Sequence, residues 1–216
     1  MAETERQDEN VFALAERDIL EALAGVDALL APANVSRTSP GLKMIVAERE
    51  VRVRARAAGD RLLALLAPDS LAHDQQRLGL ALLHASHVIG AMCDECVDLS
   101  RLAALPGPDD NEVAAALASM RKLCRSQVRT AAKALAKRSE ERAARLHPVH
   151  AEIEALNNEI GGHGRVAEDG AVGYQALGSA VLTAECLTRV SEQAVDIGDD
   201  VVLAVKGSAR ARQSPV

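Results

Sequence analysis

Aromatic residues are almost missing from this chain: it has one Phe (Phe12), one Tyr (Tyr174) and no Trp. A core without large rings must be built from Leu, Ala, Val and Ile. That suits long helices packed closely through small side chains and suits β-sandwiches badly. The same shortage excludes a protein that stacks nucleic-acid bases on aromatic platforms. Excess positive charge is also lacking. The formal net charge is −6, so neither DNA nor anionic lipid attracts the chain non-specifically, and no nucleic-acid partner is expected. Long hydrophobic runs are absent too. The longest, LLALLA at 62–67, stops at Pro68, far short of the ~18 apolar residues of a membrane span. No direct membrane insertion is expected. The opening MAETERQDEN has no basic stretch followed by an apolar one, so it reads without a secretory signal, and a cytoplasmic location is the expectation.

Catalytic signatures are missing as well. There is no G-x-S-x-G, no G-x-x-x-x-G-K and no H-E-x-x-H. The Glu-x-x-His motifs of helical di-metal oxidases do not occur. Glu159 and His163 stand four apart, but Gly161 and Gly162 lie between them. The chain reads as a non-enzyme.

What is present is a globular composition, 48% hydrophobic and 26% charged over 216 residues, enough for one ordinary domain or two small ones. The four cysteines are Cys93, Cys96, Cys124 and Cys186. Cys93 and Cys96 fall on the apolar stripe of Leu82, Ile89 and Met92, Cys124 falls with Leu117, Met120 and Val128, and Cys186 with Val190. That phasing reads as buried thiols rather than a zinc or redox set.

Breakers divide the chain into six helical stretches, and no segment alternates with period two for long enough to be a strand. The first stretch runs from about Glu9 to Leu30 and ends at APANVSRTSPG (31–41). The second covers 42–66. The third, capped by Asp69 or Ser70, runs to about Leu105. LPGPDD (105–110) is the clearest internal boundary. The fourth spans Asn111 to Arg138. Ser139, followed by Glu140 and Glu141, can cap the fifth; Pro148 then marks either a kink or the true first turn. GGHGRVAEDG (161–170) ends the fifth, and the sixth fills 171–206. The expected fold is all-α: two pseudo-symmetric three-helix bundles, 9–105 and 109–207, with 208–216 as a flexible tail.

Two rows of acids suggest the duplication. The polar stripe of the third helix holds His84, His87, Asp94, Asp98 and Arg101; that of the sixth holds Glu185, Thr188, Glu192, Asp196 and Asp199. Asp94 and Glu192 stand 98 positions apart, as do Asp98 and Asp196. Carboxylates at i, i+4 and i+7 share one helix face, and like charges so placed repel by ~0.2–0.5 kcal/mol per pair. Two accounts of them stand. They are a solvated face opposite the apolar stripe, or Asp94, Asp98, Glu192, Asp196 and Asp199 are ligands for a divalent or iron cation, with His87 able to add a nitrogen. The fourth helix carries Arg121, Arg125, Arg129, Lys133 and Lys137, read as a solvated basic face rather than a docking strip. His147 and His150, beside Pro148, are read as surface or inter-helix residues.

The sixth-helix stretch LTRVSEQAVDIGDDVVLAVKG (187–207) runs without a gap along L-E-R-I-G-D-H-A-V-N-I-A-E-D-V, the end-of-repeat pattern of the PhoU family of bacterial phosphate-signalling and phosphate-transport regulators, which the chain resembles from about residue 11 to 207. EIEALNNEI (152–160) is similar to that family's preceding helix, and LLALLAPDSLAHDQQRLGLAL (62–82) to its A-L-x-L-L-x-x-Q-Q-P-x-x-x-D-L-R segment. The family's E-x-x-x-D pair has Thr188 for its Glu and Glu192 for its Asp; in the first half Gly90 takes the Glu position and Asp94 keeps the Asp. Asp74 is followed by Gln75 and Gln76, with the arginine displaced to Arg77. The resemblance implies tandem three-helix repeats, a homodimer, and a regulator of phosphate homeostasis that couples a phosphate ABC transporter ATPase to a sensor histidine kinase. Some members bind metal clusters through the full E-x-x-x-D pattern, whose first acid is missing in both halves here; a metal-binding store or sensor that uses the carboxylate rows of the third and sixth helices is the alternative.

Overall fold

A computed structural model describes residues 2–31, 42–67, 71–105, 107–108, 110–163 and 171–211. Over them the chain is all-helical, with six long helices and one short one. Helix α1 (Ala2–Leu29) begins several residues before the first apolar position, because Glu, Arg and Gln are good helix formers and nothing breaks the run. Helix α2 (Leu42–Leu66) has its expected limits. Helix α3 (His73–Leu102) starts after the extended Ala72, which makes no side-chain cap bond; the expected caps Asp69 and Ser70 lie outside the described residues. Asp74 in the first turn still suits the helix dipole. The helix ends three residues earlier than expected, in tightening turns where Ala104 N–H donates to Arg101 O and Leu105 N–H to Leu102 O.

Helix α4 (Asn111–Lys137) is capped by Asp110, whose side chain accepts from Glu112 N at 2.7 Å. It closes through Arg138, left-handed at φ 48°, with Ser139 N–H reaching back to Ala134 O at 3.0 Å. Both alternatives for Pro148 are realised together. Ser139 caps a separate short helix α5 (Glu140–Ala144), its hydroxyl accepting from Arg142 N at 3.3 Å. The chain then turns at Arg145, and helix α6 (Leu146–His163) carries Pro148 in its first turn, where a missing N–H leaves no helical bond unmade. Helix α7 (Ala171–Ala211) has 41 residues, about 60 Å at ~1.5 Å per residue. It continues past Gly207, so 208–211 is helix rather than loose tail; 212–216 lie outside the described residues.

The apolar periodicity fixes the packing. Helix α2 lies against α1 and α3, and α6 lies against α4 and α7. The two triples meet where α3 packs on α7 and α1 on α4, so α1, α3, α7 and α4 form a closed ring of four helices with α2 and α6 on its flanks. One continuous hydrophobic cluster runs through both triples. It includes Ile19, Leu23, Val26 and Leu30 of the first stretch, Leu82, Ile89, Met92, Cys93 and Cys96 of α3, Met120, Cys124 and Val128 of α4, and Leu187, Val190, Ala194, Ile197 and Val201 of α7. Helix α3 is long and apolar enough, by length and composition, to cross a membrane. Here it packs against α1, α2 and α7, and half of its most apolar window is buried inside the protein.

Small residues let the helices approach. A Cβ added at Gly198 would overlap Leu146 Cδ1 and touch Ala143, so this glycine seats α5 and α6 on α7. Replacing it with Val forces that corner apart. The expected loss is about 2 kcal/mol, within the usual range for overpacking a tight core, measured as a lower denaturation midpoint at unchanged m-value.

Candidate functional site

The acid rows are where the sequence points first. Asp94 is 68% exposed, and its Oδ1 accepts from Arg52 Nη2 at 2.6 Å; the same guanidinium also holds Glu48 at 2.6 Å. Asp98 is 51% exposed and pairs with Arg101 one turn on, at 2.9 Å. Asp199 is 54% exposed and meets His147 Nε2 at 2.9 Å. Glu192 and Asp196 are exposed on α7. Three of the five carboxylates therefore already face a cationic or hydrogen-bonding side chain of this chain. Among the described residues no three His, Cys, Asp or Glu side chains come together at metal-holding spacing. His87 is exposed on α3, in a groove of about 540 Å³ between α2 and α3 that Arg52, Arg56 and Asp94 also line.

The stronger geometry lies one position away, on the seam between the triples. Asp200, which sequence reasoning passed over in favour of Asp199, is half-buried and bonded to His84 Nδ1 of α3. Glu95 of α3 receives two bonds from Arg189 of α7, at 2.7 and 2.8 Å. As α3 advances eleven residues from His84 to Glu95, α7 retreats eleven from Asp200 to Arg189, so the two helices run antiparallel. On the other side of the ring, Arg125 donates to both carboxylate oxygens of Asp27, at 2.9 and 3.2 Å, and to its carbonyl at 3.2 Å. Arg129 stands 3.3 Å from the same carboxylate, which is 18% exposed. Arg138 reaches Glu16 at 3.3 Å. The basic row of α4 is thus divided. Arg125 and Arg129 tie α4 to α1, whereas Lys133 and Lys137 are exposed.

Inside the second triple a polar network replaces part of the apolar core. Gln127 Nε2 donates to Leu146 O at 3.1 Å and to Ser191 Oγ at 2.9 Å. His150 Nδ1 lies 3.0 Å from the same hydroxyl, which makes His150 an inter-helix residue. His147 is the surface member of that pair, exposed beside Asp199. The thiols carry no reactive signature. All four cysteines are unpaired and buried. Burial pushes Cys93, Cys124 and Cys186 up to about 12 and raises Cys96 as well, so nucleophilic thiolate is negligible at neutral pH. Cys124 spends its proton on Leu187 O at 3.0 Å.

Neither a family model nor a curated protein matches the sequence. Among solved structures, PhoU from Pseudomonas aeruginosa is similar, with a TM-score of 0.66 and 13% sequence identity. The similarity covers 95% of this chain and 97% of that one.

Asp200 also sets a pH response. Burial first, helped by Asp196 and Asp199, raises its carboxyl above the ordinary range against the lowering effect of His84. A carboxyl raised in the native state favours folding most when protonated. That contribution is complete below the unfolded value of about 3.9 and is lost as pH rises through the native one. Asp200→Asn therefore raises Tm at pH 7 by about 1–2 °C and flattens the decline in stability above pH 4, read by thermal scans across pH. Arg125→Ala, which strands the Asp27 carboxylate, lowers stability by about 1–3 kcal/mol; a double-mutant cycle with Asp27→Ala isolates the pair. The geometry and the comparison agree on architecture: over its described residues this chain has an all-helical fold similar to that of PhoU from Pseudomonas aeruginosa.

Proposed function

We propose that the chain is a non-enzymatic, cytoplasmic regulator of phosphate uptake and phosphate-starvation signalling that acts by binding. Its partners are a phosphate ABC transporter ATPase and a sensor histidine kinase, and it works as a homodimer. The observation that carries this reading is the fold likeness to PhoU over 95% of this chain and 97% of that one, joined to the ungapped resemblance at 187–207. The surface is of a kind that suits recognition. Long rigid helices present Glu192, Asp196, Lys133 and Lys137 outward, and α2 carries an exposed apolar fringe at Ile45, Val46, Val53 and Leu63 on which self-association can draw.

The two triples are read as repeats about an internal two-fold axis. A residue that touches its own counterpart must lie at such an axis. Asp27 and Arg125 are bonded and 98 positions apart, the offset that also relates the two acid rows. The metal-carrying alternative draws no comparable support, since Arg52 already neutralises Asp94 and His147 engages Asp199.

Affinity capture from phosphate-replete and phosphate-starved cells tests the reading. A transporter ATPase or a histidine kinase is expected in the replete sample; recovery of neither removes its basis. The double substitution Glu192→Ala/Asp196→Ala is expected to weaken capture roughly tenfold at low salt with Tm unchanged, because both side chains are exposed.

A further inference from the structure

Where α3, α4 and α7 meet below the 105–110 connection, a cavity of about 230 Å³ opens. Leu99, Leu102, Leu117 and Ala180 line it beside Ser179 and Thr183, whose hydroxyls donate to carbonyls of their own helix, and Arg121 is the charged side chain among the lining. Arg121 differs from the other arginines of the seam. Arg125, Arg138 and Arg189 each meet a carboxylate, whereas Arg121 has no hydrogen bond or ion pair among the described residues, and its Nη1 is sealed from water without an acceptor. The ionisable groups that act on it are the thiols of Cys124 and Cys96, both protonated at neutral pH by burial. A guanidinium stays charged under all ordinary conditions, and leaving its Nη1 with neither water nor an acceptor is unfavourable. Burial accordingly lowers its pKa. A cation so placed beside a cavity is the complement of an anion that is not part of the chain.

The walls say which kind. A multiply charged, strongly hydrated anion gains nothing from leucine side chains and loses its water. A carboxylate with a short aliphatic body places its head on the guanidinium, which can hold it with two parallel N–H···O bonds, and its body against the leucines. At ~30 Å³ for each water-sized volume the space takes about seven or eight such groups, the size of a six-carbon acid. We propose that the cavity at Arg121 binds a short-chain aliphatic monocarboxylate. Such a ligand would touch α3, α4, α7 and the connection between the triples at once, so its binding would stiffen the junction where the two halves meet. The proposal does not depend on the phosphate-signalling reading.

Thermal shift and calorimetry on the full chain test it with four probes: hexanoate, hexanol, acetate and inorganic phosphate. Hexanoate is expected to raise Tm saturably and to titrate with one-to-one stoichiometry. Hexanol, acetate and phosphate are each expected to act at least tenfold more weakly. Arg121→Met should fold, since it removes an uncompensated charge at similar volume, and should lose the hexanoate response. Arg121→Lys should weaken it about tenfold, keeping the charge but not the fork. Ala103→Leu fills the cavity from its wall with Arg121 intact and should also abolish the response, which keeps the test decisive if Arg121→Met does not fold. No saturable hexanoate effect on the parent protein, an equal effect in Arg121→Met or Ala103→Leu, or equal shifts from phosphate would each overturn the proposal.

Discussion

The antiparallel contact of α3 with α7, seconded by that of α1 with α4, is what the rest of the molecule depends on. The hydrophobic cluster runs unbroken from one triple into the other, taking in Ile89, Met92 and Cys96 on α3 and Leu187, Val190, Ala194 and Ile197 on α7, all fully or nearly fully buried. Burying such side chains is worth ~1.5–3 kcal/mol each, which makes the seam a core and not a surface contact between two finished domains. With so few aromatic rings in the chain, this core is filled by small and aliphatic groups. Helices that pack through Ala, Cys and Gly sit close, and closeness leaves little room for polar errors.

That constraint explains the arrangement of charge. Around the seam, buried and half-buried acids meet arginine or histidine from the opposite helix: Asp27 with Arg125, Glu95 with Arg189, Asp200 with His84. Truncating one partner of such a pair strands the other in a low-dielectric setting, so the pairs specify the register of the helices more than they add to stability. Outside the seam the pairs are short-range and exposed, such as Asp98 with Arg101, and contribute little. Gln127, Ser191 and His150 act within the second triple as the bidentate pairs do between triples, fixing α4, α6 and α7 in one relative position.

A rigid helical body with its acids spread along two helices is suited to presenting surfaces. The carboxylates of the two acid rows are exposed, and Asp94, Asp98 and Asp199 each meet a neighbouring side chain of the same protein. A half-buried cation whose Nη1 meets no acceptor lies elsewhere, at Arg121, lining the cavity below the connection between the triples.

The sequence by itself determined the helical class, four of the six long helices to within a few residues at both ends, and the buried stripes of α3, α4 and α7. These follow from local causes: apolar spacing of three and four, Pro and Gly breakers, and capping residues such as Asp110 and Ser139. The start of α1 was missed because no apolar residue marks it, and the extension of α7 to Ala211 because a single glycine weakens a helix without ending it. Only the tertiary structure decided which charges face water and which face one another. Asp199 and Asp200 differ by one residue, about 100° around the helix, and so by exposure and partner; Arg121 and Arg125 lie on one row, yet one lines a cavity without an acceptor and the other grips Asp27. Asp27 and Arg125 share the 98-residue offset of the acid rows, but an offset does not say which equivalent pair lies in contact. No local signal could have found the others, because a partner's side chain is chosen by how two distant helices are laid together.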